Sequence, residues 1–248
     1  MQNRAATSCF APSQNHFHPL LSHHHKTIFV HIPKCAGQSV ETAFLSDLGL
    51  KWETRAPLLL RHNKTPELGP PRLAHLIARD YVRHRYVPQE MFNAYYRFAI
   101  VRNPWSRTVA LYRHLQLSMT FHEFVSVWLT DQFAKGEAAE KYWFVKPQME
   151  FIAHRGEKLV DDIIRFERLD EEFPRVVAAT GLKAALPHVN KSADALRRPK
   201  RFSVNSFFVP SRRETHGRWK EFYQSDIAAL VNRLYAADVS GFGYSFDM

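Results

Sequence analysis

The stretch from Lys26 to Ser39, K-T-I-F-V-H-I-P-K-C-A-G-Q-S, limits what this chain can fold into more than any other. Ile28, Val30 and Ile32 alternate with Phe29 and His31 in a β-rich apolar run. Pro33 stops that run, and Gly37 releases the backbone before Ser39, Val40, Thr42 and Ala43. The pattern predicts a strand, a tight loop and a helix. Amide groups left unpaired at a helix start, with the positive end of the helix dipole, attract an anion, and Lys34 adds a positive charge. The loop is shaped for phosphate or sulfate.

It is not an ordinary ATP or GTP loop. That motif, G-x-x-x-x-G-K-[ST], places lysine after the second glycine, whereas Lys34 lies three residues before Gly37. A cysteine phosphatase loop would need an arginine six residues after Cys35, and position 41 is Glu. A plain αβ turn with a stray lysine stays open from these residues alone.

The rest of the chain alternates in the same way. Tyr96 to Val101 reads as a second strand ending in Arg102, and Asn103, Pro104 and Trp105 as N-cap, first-turn proline and helix to about Leu117. Thr120 and Glu123 form a capping box for a helix through Phe124, Val127 and Trp128. Lys135 to Lys146 reads as a polar surface loop, and Gln148 to Ala153 as a short helix. Asp162 to Phe166 reads as a third strand; Asp170 to Thr180 follows as a helix ended by Gly181, with Pro174 in its first turn. Pro71 opens a helix whose buried face carries Leu73, Leu76, Ile77, Tyr81 and Val82, with His75 beside it. Leu48 to Pro71 reads as a loop with room for one short strand. A last helix spans Ser225 to Ala237, and the aromatics of Gly241 to Phe246 are expected to dock on the core. Strands alternating with helices imply an α/β fold: a three-layer, P-loop-like (Rossmann-like) parallel sheet flanked by helices.

Residues 1 to 25 lack periodicity, so we expect a flexible tail there, His23 to His25 included, and one domain over residues 26 to 248. Of the 248 residues 45% are hydrophobic, enough for one sizeable core. No run approaches the ~18 apolar residues of a membrane span. Two cysteines, Cys9 and Cys35, make no disulfide framework, and a cytoplasmic protein is the simplest expectation. A net charge of +10 attracts polyanions without choosing among nucleic acid, acidic glycan, anionic lipid or a phosphorylated nucleotide.

Six segments in matching order make the chain resemble the carbohydrate-type sulfotransferases that use 3′-phosphoadenosine 5′-phosphosulfate, the group of heparan sulfate 2-O-sulfotransferase and many bacterial members. They are H-I-P-K-C-A-G-Q-S at His31 to Ser39, L-A-H-L-I-A-R at Leu73 to Arg79 and R-F-A-I-V-R-N-P-W-S-R at Arg97 to Arg107. Then come I-I-R-F-E-R-L at Ile163 to Leu169, L-P-H-V-N-K-S at Leu186 to Ser192, and Y-x-x-D-x-x-x-F-G-Y-S-F at Tyr235 to Phe246.

The resemblance implies transfer of a sulfuryl group from that nucleotide to an acceptor hydroxyl by in-line displacement, without a metal. It implies that Lys34 and the amides of Cys35, Ala36, Gly37, Gln38 and Ser39 hold the phosphosulfate, each charge-assisted hydrogen bond contributing about 1.5–3 kcal/mol. Arg102 would anchor the 3′-phosphate. The family pairs that arginine with a serine eight residues later; here position 110 is Ala, and Ser106 or a basic residue between 191 and 201 would have to stand in. His75 would be the base, with His62 in reserve and His31 structural, while Trp105 packs in the core. Lys191 and Ser192 would close over the nucleotide phosphates. The acceptor is expected to be a carbohydrate, an acidic glycan being suggested by the basic segment Arg197 to Arg213, or another hydroxyl-bearing molecule, with no nucleic-acid partner. The rival readings are a nucleotide kinase-like phosphotransferase and an inactive polyanion-binding module on the same fold.

Overall fold

A computed structural model describes residues 20–60, 75–187 and 218–247. Its centre is a four-stranded sheet in the order β1 (Leu20–Ser22), β2 (Thr27–Val30), β3 (Tyr96–Val101) and β6 (Asp162–Arg165). The strands β2, β3 and β6 run parallel, Val30 beside Ala99 and Val101 beside Arg165, while β1 pairs antiparallel with β2. A separate ribbon joins β4 (Ala153–His154) to β5 (Glu157–Lys158). This is the expected α/β architecture, with an antiparallel edge strand added.

Helix α1 (Gly37–Asp47) follows β2; two short helices, α2 (Asp80–Arg83) and α3 (Gln89–Ala94), precede β3. Helix α4 (Pro104–Leu115) leaves β3 as read, the Asn103 side chain accepting from the amides of Trp105 and Ser106. The helical stretch from α5 (Phe121–Glu123) to α6 (Thr130–Lys135) begins on the Thr120–Glu123 capping box. Next come α7 (Tyr142–Val145), α8 (Met149–Ile152) and α9 (Leu169–Thr180), the last ended by Gly181 at φ 70°. Two helices close the chain, α10 (Ser225–Leu234) and α11 (Ala236–Phe242). Stacked rings of Phe29 and Phe98, 4.9 Å apart on adjacent strands, lie in the core, and among the described residues no helix is long and apolar enough to cross a membrane.

Several local expectations are corrected. Residues 20–25 belong to the domain: Leu20 and Leu21 are buried on β1, and the buried His25 bonds Ser22 through Nδ1 (2.7 Å) and Asp47 through Nε2 (3.0 Å). These residues are therefore not part of a tail, and local pattern missed them because the partners of His25 lie on a strand and a helix that no local pattern connects. Lys135 to Lys146 is not a surface loop: Phe144 and Val145 are buried on α7, and the Lys146 side chain is covered too. A π-helical turn over Phe124–Leu129 shifts the helical phase and leaves Val127 66% exposed. Pro174 lies inside α9, beyond its first turn. The segment before the buried Leu58 and Leu60 forms 3-10 turns, Leu59 touching β1 through a single bridge to Leu20.

Among the described residues of the helix expected around His75, His75 itself lies in a turn and only Asp80–Arg83 is helical. Leu76, Ile77 and Ala78 are buried, and the Ala78 amide donates to the Phe151 carbonyl at 2.7 Å instead of to a carbonyl one helical turn back. That tertiary bond, with His75 at φ 59°, takes precedence over the helical spacing. Leu73 lies outside the described residues.

Candidate active site

Parallel pairing places the carboxyl ends of β2, β3 and β6 side by side, and the residues that follow these strands meet there. After β2 the chain turns sharply, with Lys34 at φ 66° and Ala36 at φ 60°. Helix α1 then starts on Ala36, with no side-chain cap and no acidic residue in its first turn. Among the described residues the amides of Gly37 and Gln38 have no backbone acceptor. An uncapped, acid-free helix start beside a lysine leaves donors and positive charge where an anion could be held.

Gly37 has a steric reason to be glycine. A Cβ there would lie 1.7 Å from Nε2 of His31, whose imidazole packs against the loop. His31 is buried, its Nδ1 stands 3.6 Å from Oε1 of Glu41, and burial followed by the charge of Lys34 pushes its pKa down to about 3. It is neutral at ordinary pH.

Arg102 is half-buried at the end of β3. Its Nε donates to Ser106 Oγ at 2.9 Å, its Nη1 to the Lys34 carbonyl at 3.3 Å, and its Cζ lies 4.4 Å over the Phe166 ring. Lys34 and Arg102 thus share one site from two strands. Burial, then Arg102, lowers the Lys34 pKa, and burial lowers that of Arg102. Two cations held together with an uncapped helix start suit a ligand of several negative charges.

His75 reaches the site from its turn. Its Nδ1 donates to the His31 carbonyl at 2.8 Å, and its ring lies 4.4 Å from that of His31, 6.0 Å from Trp143 and 5.7 Å from Phe144. A carbonyl can only accept, so Nδ1 carries the proton and Nε2 the lone pair. Burial, then His31, holds the His75 pKa well below the ordinary histidine value. Cys35 turns the other way: its thiol donates to Oε1 of Gln148 at 3.3 Å and burial pushes its pKa up to about 12, which suits a packed thiol and not a nucleophile.

Around these groups stands a frame that sequence reading missed. Arg107 is buried, donating through Nε to the Pro33 carbonyl (3.1 Å), through Nη1 to that of Lys146 (3.0 Å) and through Nη2 to that of Phe144 (3.3 Å). Gln148 accepts from the Arg102 amide at 2.8 Å and donates to the Arg102 carbonyl at 2.7 Å. Asp238, fully buried, accepts the amides of Gln148 and Met149 at 2.8 Å each. Glu167 accepts from the Asn103 amide (2.8 Å) and the Tyr244 hydroxyl (2.9 Å), and Asn103 Nδ2 donates to the Ser245 carbonyl at 3.0 Å. The aromatic end docks as read, Phe246 lying edge-on to Trp105, whose Nε1 donates to the Ala228 carbonyl. Arg107, Asp238 and Glu167 all lie in segments that carry the resemblance, which is the signal that could have found them.

Of the expected site residues, the structure gathers Lys34, Cys35, Ala36, Gly37, Gln38, Ser39, Arg102 and His75 in one region, with Cys35 facing inward and the Ser39 amide bonded to the Ala36 carbonyl at 3.0 Å. Lys191, Ser192 and His62 lie outside the described residues. Among the described residues no group of three or more His, Cys, Asp or Glu side chains is arranged to hold a metal ion. No curated protein matches the chain in sequence. The family profile described as the sulfotransferase family matches residues 18–245, nearly all of the chain, and so this protein belongs to the sulfotransferase family.

Proposed function

We propose that the protein transfers a sulfuryl group from 3′-phosphoadenosine 5′-phosphosulfate to an acceptor hydroxyl, by in-line displacement and on a carbohydrate. The observation that carries this reading is the meeting of Lys34 and Arg102 at an uncapped, acid-free start of α1, with His75 turned toward the same loop. That donor set fits a nucleotide with separate anionic groups, one for the loop and one for the end of β3.

The donor supplies an activated sulfuryl group on a phosphosulfate anhydride. The amides at the start of α1 bind its anionic oxygens, and the Lys34 ammonium counters the charge that develops on the departing phosphate. Arg102, steadied by Ser106, holds the 3′-phosphate at the strand end. His75 takes the acceptor proton at Nε2, and the His31 carbonyl stabilises the resulting imidazolium through Nδ1–H. A lowered pKa keeps His75 unprotonated, and therefore ready, at neutral pH. The cytoplasmic setting and the hydroxyl, as opposed to amine, acceptor belong to the same proposal.

The test is to supply the sulfate donor with a panel of neutral and acidic saccharides and measure release of adenosine 3′,5′-bisphosphate. Release that depends on a saccharide supports the reading. No release with any acceptor, together with no binding of that product nucleotide, would sink it.

A further inference from the structure

Helix α4 carries Ser106, Ala110 and Arg113 at a spacing of four and then three residues, which sets them on one face. The first of them holds Arg102: Ser106 Oγ accepts from its Nε at 2.9 Å. The second ends in a methyl group, so the face has no hydroxyl one turn further on. The third is a cation, and side chains on a helix lean toward its N-terminus. That tendency, with a small alanine between them, leaves Arg113 room to extend toward Ser106 and Arg102.

The surroundings of Arg113 suit an anion more than a structural ion pair. Its guanidinium lies 4.9 Å over the Phe222 ring, which fixes one face of the fork. Its Nε is buried and has no hydrogen-bond acceptor among the described residues. A buried, unsatisfied guanidinium nitrogen is costly unless a ligand satisfies it. Burial lowers the Arg113 pKa, Glu221 being the carboxylate that offsets this, yet the two form no ion pair among the described residues. The like charge of Arg113 also reaches Arg102, adding to the effect of burial on it. Glu167 offsets the charge of Arg102 as Glu221 does that of Arg113, and a phosphate bound between the two guanidinium groups would relieve the repulsion that remains.

We propose that Arg113 binds the 3′-phosphate of the donor nucleotide together with Arg102 and Ser106, taking the place of the hydroxyl that Ala110 lacks. This rests on the sulfate-donor reading above and deepens it. Arg113 supplies a charged fork where a serine would supply one neutral donor, so this chain reads the 3′-phosphate chiefly by charge.

The experiment is calorimetric binding of adenosine 3′,5′-bisphosphate and of adenosine 5′-monophosphate, which lacks the 3′-phosphate, to the full chain and to Arg113→Met, Arg113→Lys and Arg113→Met/Ala110→Ser. Circular dichroism establishes that each variant is folded. We expect Arg113→Met to weaken the bisphosphate about 10- to 100-fold and leave the monophosphate within about twofold, as loss of a charge-assisted contact requires. Arg113→Lys should retain part of the preference, and Ala110→Ser should restore part of it in the Arg113→Met background. Unchanged bisphosphate affinity in Arg113→Met, or equal loss of both nucleotides, would overturn the assignment while leaving the donor reading in place. A parent chain that binds neither nucleotide overturns both.

Discussion

The Nδ1–H of His75 donates to the main-chain carbonyl of His31 at 2.8 Å, so a residue 44 positions along the chain is held by the end of the phosphate-loop strand. This bond decides which nitrogen is basic. It also couples the orientation of the proposed base to the loop proposed to bind the donor, since only Ile32 separates His31 from Pro33 and Lys34.

His75→Ala should therefore lower kcat by about 10²–10⁴ with the donor affinity little changed. The pH profile of the parent supplies a second check. Because the His75 pKa lies well below 6.5, transfer should stay level from neutral pH down past 6.5 and fall only at lower pH. An acid limb centred at or above 6.5 would contradict the assignment.

Lys34→Ala should cost about 10²–10³ in single-turnover transfer, the loss expected when one stabilising charge is removed from a developing anion. Folding should be affected little, because the Lys34 side chain is partly exposed and the contact to Arg102 uses its carbonyl. Transfer traces and thermal melts of the same preparation separate the two effects.

Gly37→Ala should destabilise the fold by about 1–3 kcal/mol and weaken nucleotide binding together. The added methyl would need the space of the His31 ring, with a closest approach of 1.7 Å, and the ring can leave only by disturbing the loop. Urea denaturation read beside nucleotide titration measures both.

Arg107→Ala should destabilise by about 3 kcal/mol or more, since the carbonyls of Pro33, Phe144 and Lys146 lose their buried donor at once and a cavity remains. Arg107→Lys should recover little, because one ammonium cannot span three carbonyls as the planar fork does. Chemical denaturation midpoints decide this.

Stability should fall on mild acidification. His31 has a folded pKa of about 3, below its unfolded value of 6.5, so the unfolded chain binds the extra proton between these limits. The contribution is full above pH 6.5 and is lost as pH falls toward 3, with a slope of up to about 1.4 kcal/mol per pH unit. His75 adds a slope of the same sign. Unfolding free energies between pH 7 and 5 should fall less steeply in His31→Asn than in the parent.

Local chemistry was legible where a few neighbouring residues decide the outcome. Asn103 and Pro104 start α4, Thr120 with Glu123 starts the next helical stretch, and Gly181 ends α9, because each uses a bond or a backbone conformation formed within one turn. The strand, loop and helix at Lys26 to Ser39 belong to the same class, as apolar alternation and proline leave few choices. Reading failed where a distant partner decides. The His75 segment has helical spacing, but Phe151 takes its amide and His31 its imidazole. The segment before Lys146 is polar enough for a loop, yet Arg107 gathers its carbonyls and draws Phe144 and Val145 inside.

By itself the order of residues determined the alternation of strands and helices and the strand, tight loop and helix that carry Lys34, since periodicity, capping and turn chemistry act over a few residues. Only the tertiary structure decided which groups face that loop. Parallel pairing of β2 with β3 brings Arg102 to Lys34, the turn at His75 sets its basic nitrogen, and the interior receives Cys35. These are contacts between residues tens of positions apart, and their free energy comes from burial and from satisfying buried hydrogen bonds, which depend on the whole fold.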